Sequence, residues 1–315
     1  MYEKFYGFNE KPFDITPDPK FVYLSETHKE AFAHLRYAIR EGKGFSVITG
    51  EVGTGKTTLV HTLLNNLDGN VRTAYIFNPV LSPEDFLIYI CEDLGLKSER
   101  RIRSRGQILP LLHDFLLNCY TQNERVFLII DEAQSLDKNL LEEVRLLTNL
   151  ETSKDKLLHV ILLGQPELNK TLADSQFRAL KQRITVRYHL KTLNLTDTRE
   201  YILHRMKKAG ARNLSLFDDD SIKAIYKYSK GIPRIINIVC DNALLTGFSR
   251  EQKQIGKAII QEIVRDLEGP RKNTKYILFR LGLITLILFL CVWIIIYLFF
   301  PEYLSEIWNY IGSLV

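Results

Sequence analysis

Two rhythms of apolar and polar positions divide the chain. Residues 1–44 begin as an irregular, proline-rich stretch and then take up a helical period over 25–41, with Ser25 placed to cap the helix start. Short apolar runs follow at 44–49, 72–77, 126–130, 158–163 and 184–190, spaced by helical patterns. The middle runs are continuous rather than alternating, as parallel strands buried on both faces require. This predicts an α/β domain over 45–194 built on a parallel five-stranded sheet, with 1–44 as its leading arm and helix. Beyond Leu195 no strand pattern recurs. Helical periods at 196–209, 218–229, 232–246 and 256–267 predict a smaller helical domain over 195–268.

A third pattern closes the chain. Residues 281–300 read LGLITLILFLCVWIIIYLFF, with no charge in the run. At ~1.5 Å per residue such a helix spans about 30 Å, the hydrocarbon thickness of a bilayer. A soluble helix of that length would carry a polar face. Arg271, Lys272, Lys275 and Arg280 lie in a short basic linker, 269–280, and no Lys or Arg follows the span. The positive-inside rule then expects residues 1–270 in the cytoplasm and 301–315 outside, which in a bacterium is the periplasm. In the tail, Leu304, Ile307, Trp308, Ile311 and Leu314 share one helical face. That suits an amphipathic helix lying on the outer membrane surface, the alternative being a disordered tail. Residues 1–21 are broken by charge and by Pro12, Pro17 and Pro19, so they do not read as a signal peptide.

Charge narrows the partners. Lys and Arg number 42 against 37 Asp and Glu, and only 38 against 35 within residues 1–270. A dedicated duplex-DNA binder carries a stronger basic surplus, which argues against nucleic acid as the partner. The run from Lys97 to Arg105 holds five basic residues and one acid. It would suit nucleic acid, acidic lipid or an acidic partner, or simply a solvated loop; no aromatic side chain interleaves for base stacking. Cys91, Cys119, Cys240 and Cys291 form no CxxC and have no His pair at metal spacing, so they read as reduced thiols.

The chemistry is concentrated at strand ends. Gly50-Glu51-Val52-Gly53-Thr54-Gly55-Lys56-Thr57-Thr58 matches GxxxxGK[ST], follows the first strand and opens a helix over 56–67. Glycines let backbone N–H groups curl around phosphates, the helix start favours their charge, and Lys56 reaches the outer phosphate oxygens. Thr57 would hold Mg²⁺. The run Val126 to Ile130 ends in Asp131-Glu132. Asp131 would organise Mg²⁺, and Glu132 would polarise the water that attacks the γ-phosphate. Gln165, ending the next strand, is placed as a polar sensor of that water or phosphate, or as part of a simple turn. Arg183 is expected to be exposed at the sheet edge, away from its own P-loop and free to reach a neighbouring subunit's phosphate; Arg178 is the second choice. In Gly231-Ile232-Pro233-Arg234, Arg234 would reach from the helical domain to the nucleotide. The cofactors are therefore ATP and Mg²⁺.

Taken together, the strand spacing, P-loop, Asp131-Glu132 pair and Gly-x-Pro-Arg arginine resemble the AAA+ ATPases. The opening FYGFNEKPFDITPDPKFVYLSETHKEAFAHL, then GFSVITGEVGTGKTTL, LLGQPEL, QRITVRYHL and GIPRIINIVCDNALL, narrow the resemblance to the general secretion pathway protein A (ExeA/GspA) ATPases. The resemblance covers about residues 1–268. It implies an AAA+ P-loop fold with a helical lid, an inner-membrane anchor, self-association and a membrane partner of the GspB type. In that family the ATPase helps to place the outer-membrane secretin through the cell wall. Longer members carry a periplasmic peptidoglycan-binding domain; here fifteen residues follow the span, so an external partner would supply contact with the wall. The resemblance also implies that Phe13 and the stretch from Asp14 to Pro19 pack near the adenine.

Alternative functions remain within the same motifs. Similar ATPases accompany polysaccharide-export, exosortase and type IV pilus systems. A DNA-directed AAA+ regulator of the transposition type, or a slow nucleotide-gated scaffold, would share the core.

Overall fold

The computed structural model describes residues 1–16, 18–66, 70–96, 104–269, 282–292 and 294. Two helices precede the sheet, α1 (Tyr2–Tyr6) and α2 (Glu26–Arg40). Ser25 caps α2, its hydroxyl accepting from the His28 amide. The strands are β1 (Phe45–Gly50), β2 (Val71–Ile76), β3 (Arg125–Ile130), β4 (Leu158–Gly164) and β5 (Val186–Leu190). They form one parallel sheet in the order β2-β3-β4-β1-β5. All five expected runs are strands, each within two residues of the expected bounds.

The central strands β3, β4 and β1 are buried on both faces, which is why they read as nearly unbroken apolar runs. On one face Val47, Leu128, Val160 and Leu162 pack with α4 (Pro83–Asp93), α5 (Arg105–Thr121) and α6 (Lys138–Leu147). On the other, Ile48, Phe127, Ile129, Ile161 and Leu163 meet α2 and α3 (Lys56–Leu64). Two short helices, α7 (Glu167–Ala173) and α8 (Arg178–Arg183), link β4 to β5. In the register, Thr49 stands beside Gly164 of β4 and His189 of β5. The loops after β1, β3 and β4 therefore emerge together at the carboxyl edge, where ligands bind in open parallel sheets.

Four helices follow: α9 (Leu195–Lys208), α10 (Asp219–Ser229), α11 (Pro233–Ser249) and α12 (Lys257–Glu268). Their core contains an element that the sequence pattern did not reveal. Tyr2, Phe8, Phe13 and Phe21 are buried in the same cluster as Ile202, Met206, Phe217, Val239 and Leu244. The leading arm, expected to belong to the sheet domain, thus completes the helical lid, whereas α2 packs on the sheet. Arg205 ties the arm down. It is almost fully buried, and donates from Nε to Pro12 O at 2.6 Å and from Nη2 to Asp14 O at 3.2 Å.

Residues 1–264 make one compact unit and 265–315 a second. Of the expected span 281–300, residues 282–292 and 294 are described; they are helical with exposed apolar side chains. Among the described residues no helix is long and apolar enough to cross a membrane. The rest of that span, residues 270–280, the tail 301–315 and residues 97–103 of the basic run lie outside the described residues.

Candidate functional site

The loop from Gly50 to Gly55 needs its glycines for two separate reasons. Gly53 and Gly55 adopt φ of +79° and +94°, in the left-handed region that side chains disfavour. At Gly50 a Cβ would sit 2.8 Å from the Leu190 carbonyl oxygen of β5. The loop is braced from within by Thr54, whose hydroxyl donates to Glu51 O at 2.8 Å. It is braced from outside by His28 of α2, whose Nε2 lies 3.0 Å from Thr54 O. Glu51 and Val52 are exposed, and Thr58 is half-buried on α3.

Lys56 is buried at the start of α3, and its ammonium donates to Gly50 O at 2.8 Å and Glu51 O at 3.0 Å. Burial pushes it below its ordinary pKa, against the pull of Glu132, Asp131 and Glu51. A buried cation resting on two neutral carbonyls is poised to exchange them for anionic oxygens.

Thr57, one residue on, donates to Asp131 Oδ2 at 2.5 Å. Asp131 continues the line of β3, its amide donating to Ile76 O of β2. Its carboxylate also accepts from Tyr75 Oη (2.8 Å, on Oδ2) and from the Glu132 amide (2.8 Å, on Oδ1). Burial and the Asp131 charge push the Tyr75 phenol well above its ordinary pKa, so the hydroxyl stays a donor. Among the described residues no three His, Cys, Asp or Glu side chains form a metal cage. A hydroxyl and one carboxylate beside a phosphate cradle instead suit Mg²⁺, which keeps several waters and shares phosphate oxygens. The residues present fit both groups, ATP in the loop and Mg²⁺ at Thr57 and Asp131.

Glu132 follows in the left-handed region, φ +49°, and its side chain is exposed. Gln165 Nε2 donates to Glu132 Oε2 at 3.2 Å, and Gln134 Nε2 donates to the same oxygen. Gln134 Oε1 in turn accepts from the Gln165 amide at 2.9 Å. Of these three, Gln134 had no signal in the sequence beyond its place two residues after Glu132.

The two arginines stand differently. Arg234, exposed at the start of α11, has its amide on Gly53 O at 3.3 Å, and a Cβ on Gly53 would meet its own Cβ at 2.6 Å. The lid therefore touches the P-loop through the backbone of Arg234. Arg183 corrects its expectation. It is half-buried, and its Nη1 donates to Arg145 O (3.0 Å) and Thr148 Oγ1 (2.6 Å), so it closes the carboxyl end of α6 rather than standing free. Arg178, at the start of α8, is exposed.

Between the P-loop and the lid lies a pocket of about 90 Å³ whose lining includes Asp18, Phe21, Tyr23, Gly55, Tyr201 and Arg205. Arg205 sits 4.9 Å over the Phe21 ring and donates from Nη1 to Tyr201 Oη at 3.0 Å. The arm reaches this pocket through Asp18 and Phe21. Phe13 is fully buried in the lid core, edge-on to Phe217.

Residues 39–172 match the AAA domain family. General secretion pathway protein A of Aeromonas hydrophila is 42% identical over 271 residues, 86% of this chain and 49% of that protein. The chain spans about half the length of this curated relative. Among solved structures, an Aeropyrum pernix ORC2 protein superposes with a TM-score of 0.63 at 17% identity, covering 81% of this chain and 71% of that one. Cdc6p from Pyrobaculum aerophilum gives 0.60 at 17%, covering 76% and 68%. Drosophila ORC bound to DNA gives 0.63 at 18%, covering 83% and 65%. At these identities the structural likeness concerns the fold alone.

Proposed function

We propose that the chain is an AAA ATPase akin to general secretion pathway protein A, and that it hydrolyses ATP with Mg²⁺ in support of an envelope secretion machine. The observation that carries the reading is the meeting of Thr57 with Asp131 beside the Glu132–Gln165 pair, at the mouth of the P-loop. Lys56 exchanges its two loop carbonyls for phosphate oxygens. Glu132 takes the proton of the attacking water, and Gln165 holds the carboxylate and orients that water. Arg234 brings the lid's charge to the nucleotide. Bound Mg²⁺ neutralises charge on the transferred phosphoryl group. The hydrogen bonds that occupy Arg183 favour Arg178 as the arginine that completes a neighbouring subunit's site in a homo-oligomer.

The finer assignments rest on the sequence pattern and on the relative's name. Residues 281–300 anchor the protein in the bacterial inner membrane, with the ATPase in the cytoplasm and the C-terminus in the periplasm. A membrane protein of the GspB type is the partner. An export-dependent reporter fused after Val315 should be active, and activity from a cytoplasm-dependent reporter alone would reverse this topology.

The test of the enzymatic reading is Glu132→Gln. This variant should bind ATP and retain it, with turnover reduced ~10²-fold or more. Hydrolysis at the wild-type rate would remove Glu132 from the role of base.

A further inference from the structure

The Asp131 carboxylate is held by more than the P-loop threonine. Tyr75 lies on β2 beside Ile129 of β3, its ring stacked on His61 of α3 at 5.0 Å and 17° and touching Phe77 at 4.6 Å. Phenylalanine would fill that space equally well, since only the hydroxyl distinguishes the two. The ring is buried, and a hydroxyl taken out of water is costly unless it finds a partner. Its partner is Asp131 Oδ2 at 2.8 Å, the oxygen that Thr57 also uses.

That sharing has a mechanical result. The terminal torsion of an aspartate is broad, so an untied carboxylate turns freely through a wide range. Here the Glu132 amide holds Oδ1 while two hydroxyls hold Oδ2. When Thr57 offers its lone pairs to a metal ion, the phenol is a second tie on Oδ2. Mg²⁺ demands near-ideal octahedral geometry, and groups that orient a metal-binding carboxylate set its affinity.

We propose that Tyr75 is a positioning residue for the metal site, its hydroxyl orienting the Asp131 carboxylate that organises Mg²⁺ on the bound nucleotide. This rests on the ATP–Mg²⁺ reading above. The test uses the full chain and a fluorescent ATP analogue titrated with Mg²⁺, together with Mn²⁺ binding followed by electron paramagnetic resonance in the presence of nucleotide. In Tyr75→Phe, analogue affinity without metal should match the wild type. The metal concentration for half-saturation should rise about 10-fold for both ions. An unchanged half-saturation in Tyr75→Phe, with the wild type responding normally to metal, overturns the inference. Tyr75→Leu, which loses ring and hydroxyl together, separates packing from orientation. If only Tyr75→Leu shifts the metal response, the ring matters and the hydroxyl does not. Wild-type protein that binds no analogue in either condition would instead defeat the nucleotide reading itself.

Discussion

Gln165 and Glu132 stand 3.2 Å apart, amide nitrogen to carboxylate oxygen, although 33 residues separate them in the chain. The contact is possible because β3 and β4 are adjacent and parallel, so their carboxyl ends open on the same edge. It binds a group suited to deprotonate water to a group suited to orient it. Gln165→Ala should therefore lower ATP turnover roughly 10²-fold, as loss of one well-placed polar donor does. Nucleotide affinity should stay unchanged, since neither side chain belongs to the phosphate cradle. A turnover assay paired with analogue binding checks both halves.

Lys56→Ala removes a buried ammonium that rests on Gly50 O and Glu51 O. The expected loss of ATP affinity is roughly 2 kcal/mol or more, about 30-fold in Kd. Circular dichroism should show the helix content retained, because the ammonium's hydrogen bonds go to loop carbonyls and not to a helix. Binding within error of the wild type would end the P-loop assignment.

Arg183→Ala and Arg178→Ala should part company. The first takes two hydrogen bonds from the end of α6, and should cost about 1–2 kcal/mol of stability given its half-exposure. Turnover per folded subunit should hold. The second should leave stability alone and lower turnover. Mixing Arg178→Ala with Lys56→Ala protein should restore activity, since an intact P-loop then meets an intact arginine across the interface. Denaturant melts and mixed-assembly assays distinguish the two; absence of rescue at every ratio would exclude Arg178 from the neighbour's site.

His159 on β4 gives the fold an acid limit. Its ring stacks on Phe127 at 5.1 Å, and Nδ1 has no hydrogen-bond partner among the described residues. Burial, with Arg125 nearby, pushes its pKa from 6.5 down to about 4. The folded state thus favours the neutral ring, so the stabilisation is complete above pH 6.5. It is lost as the pH falls towards 4, when the unfolded chain takes up the proton first. The loss should be on the order of 3 kcal/mol across that window. Chemical denaturation of the wild type and His159→Gln at several pH values should show this slope flattened in the variant.

What could be read beforehand divides along physical lines. The strands declared themselves because sheet residues such as Val47 and Ile48 are buried on opposite faces, leaving no polar position in between. The P-loop declared itself because Gly53, Gly55, Lys56 and Thr57 are tied to phosphate geometry over a few adjacent residues. Arg183 misled because charge and position say nothing about a carbonyl left open at the end of α6. Tyr75 and Gln134 were silent since their partners come from other strands or loops, and a hydroxyl at the end of an apolar run carries no spacing rule. The arm's place in the lid core escaped notice for a similar reason: Phe8 and Phe13 look like an irregular segment until α9 and α11 are there to receive them.

The arm also sets a clock. The Tyr2 hydroxyl donates to Asp241, 239 residues later, and Arg205 reaches Pro12 across 193. At a synthesis rate of about 5–20 residues per second, roughly ten to fifty seconds pass between the emergence of Tyr2 and of its partner. Through that interval Phe8, Phe13 and Phe21 leave the ribosome without the helices that bury them. The sheet can form meanwhile from strands that are already complete, whereas the lid must wait for the last of its helices and then capture the first residues made. A nascent chain of this protein therefore carries exposed aromatic side chains at its front end until nearly all of residues 1–264 have been translated.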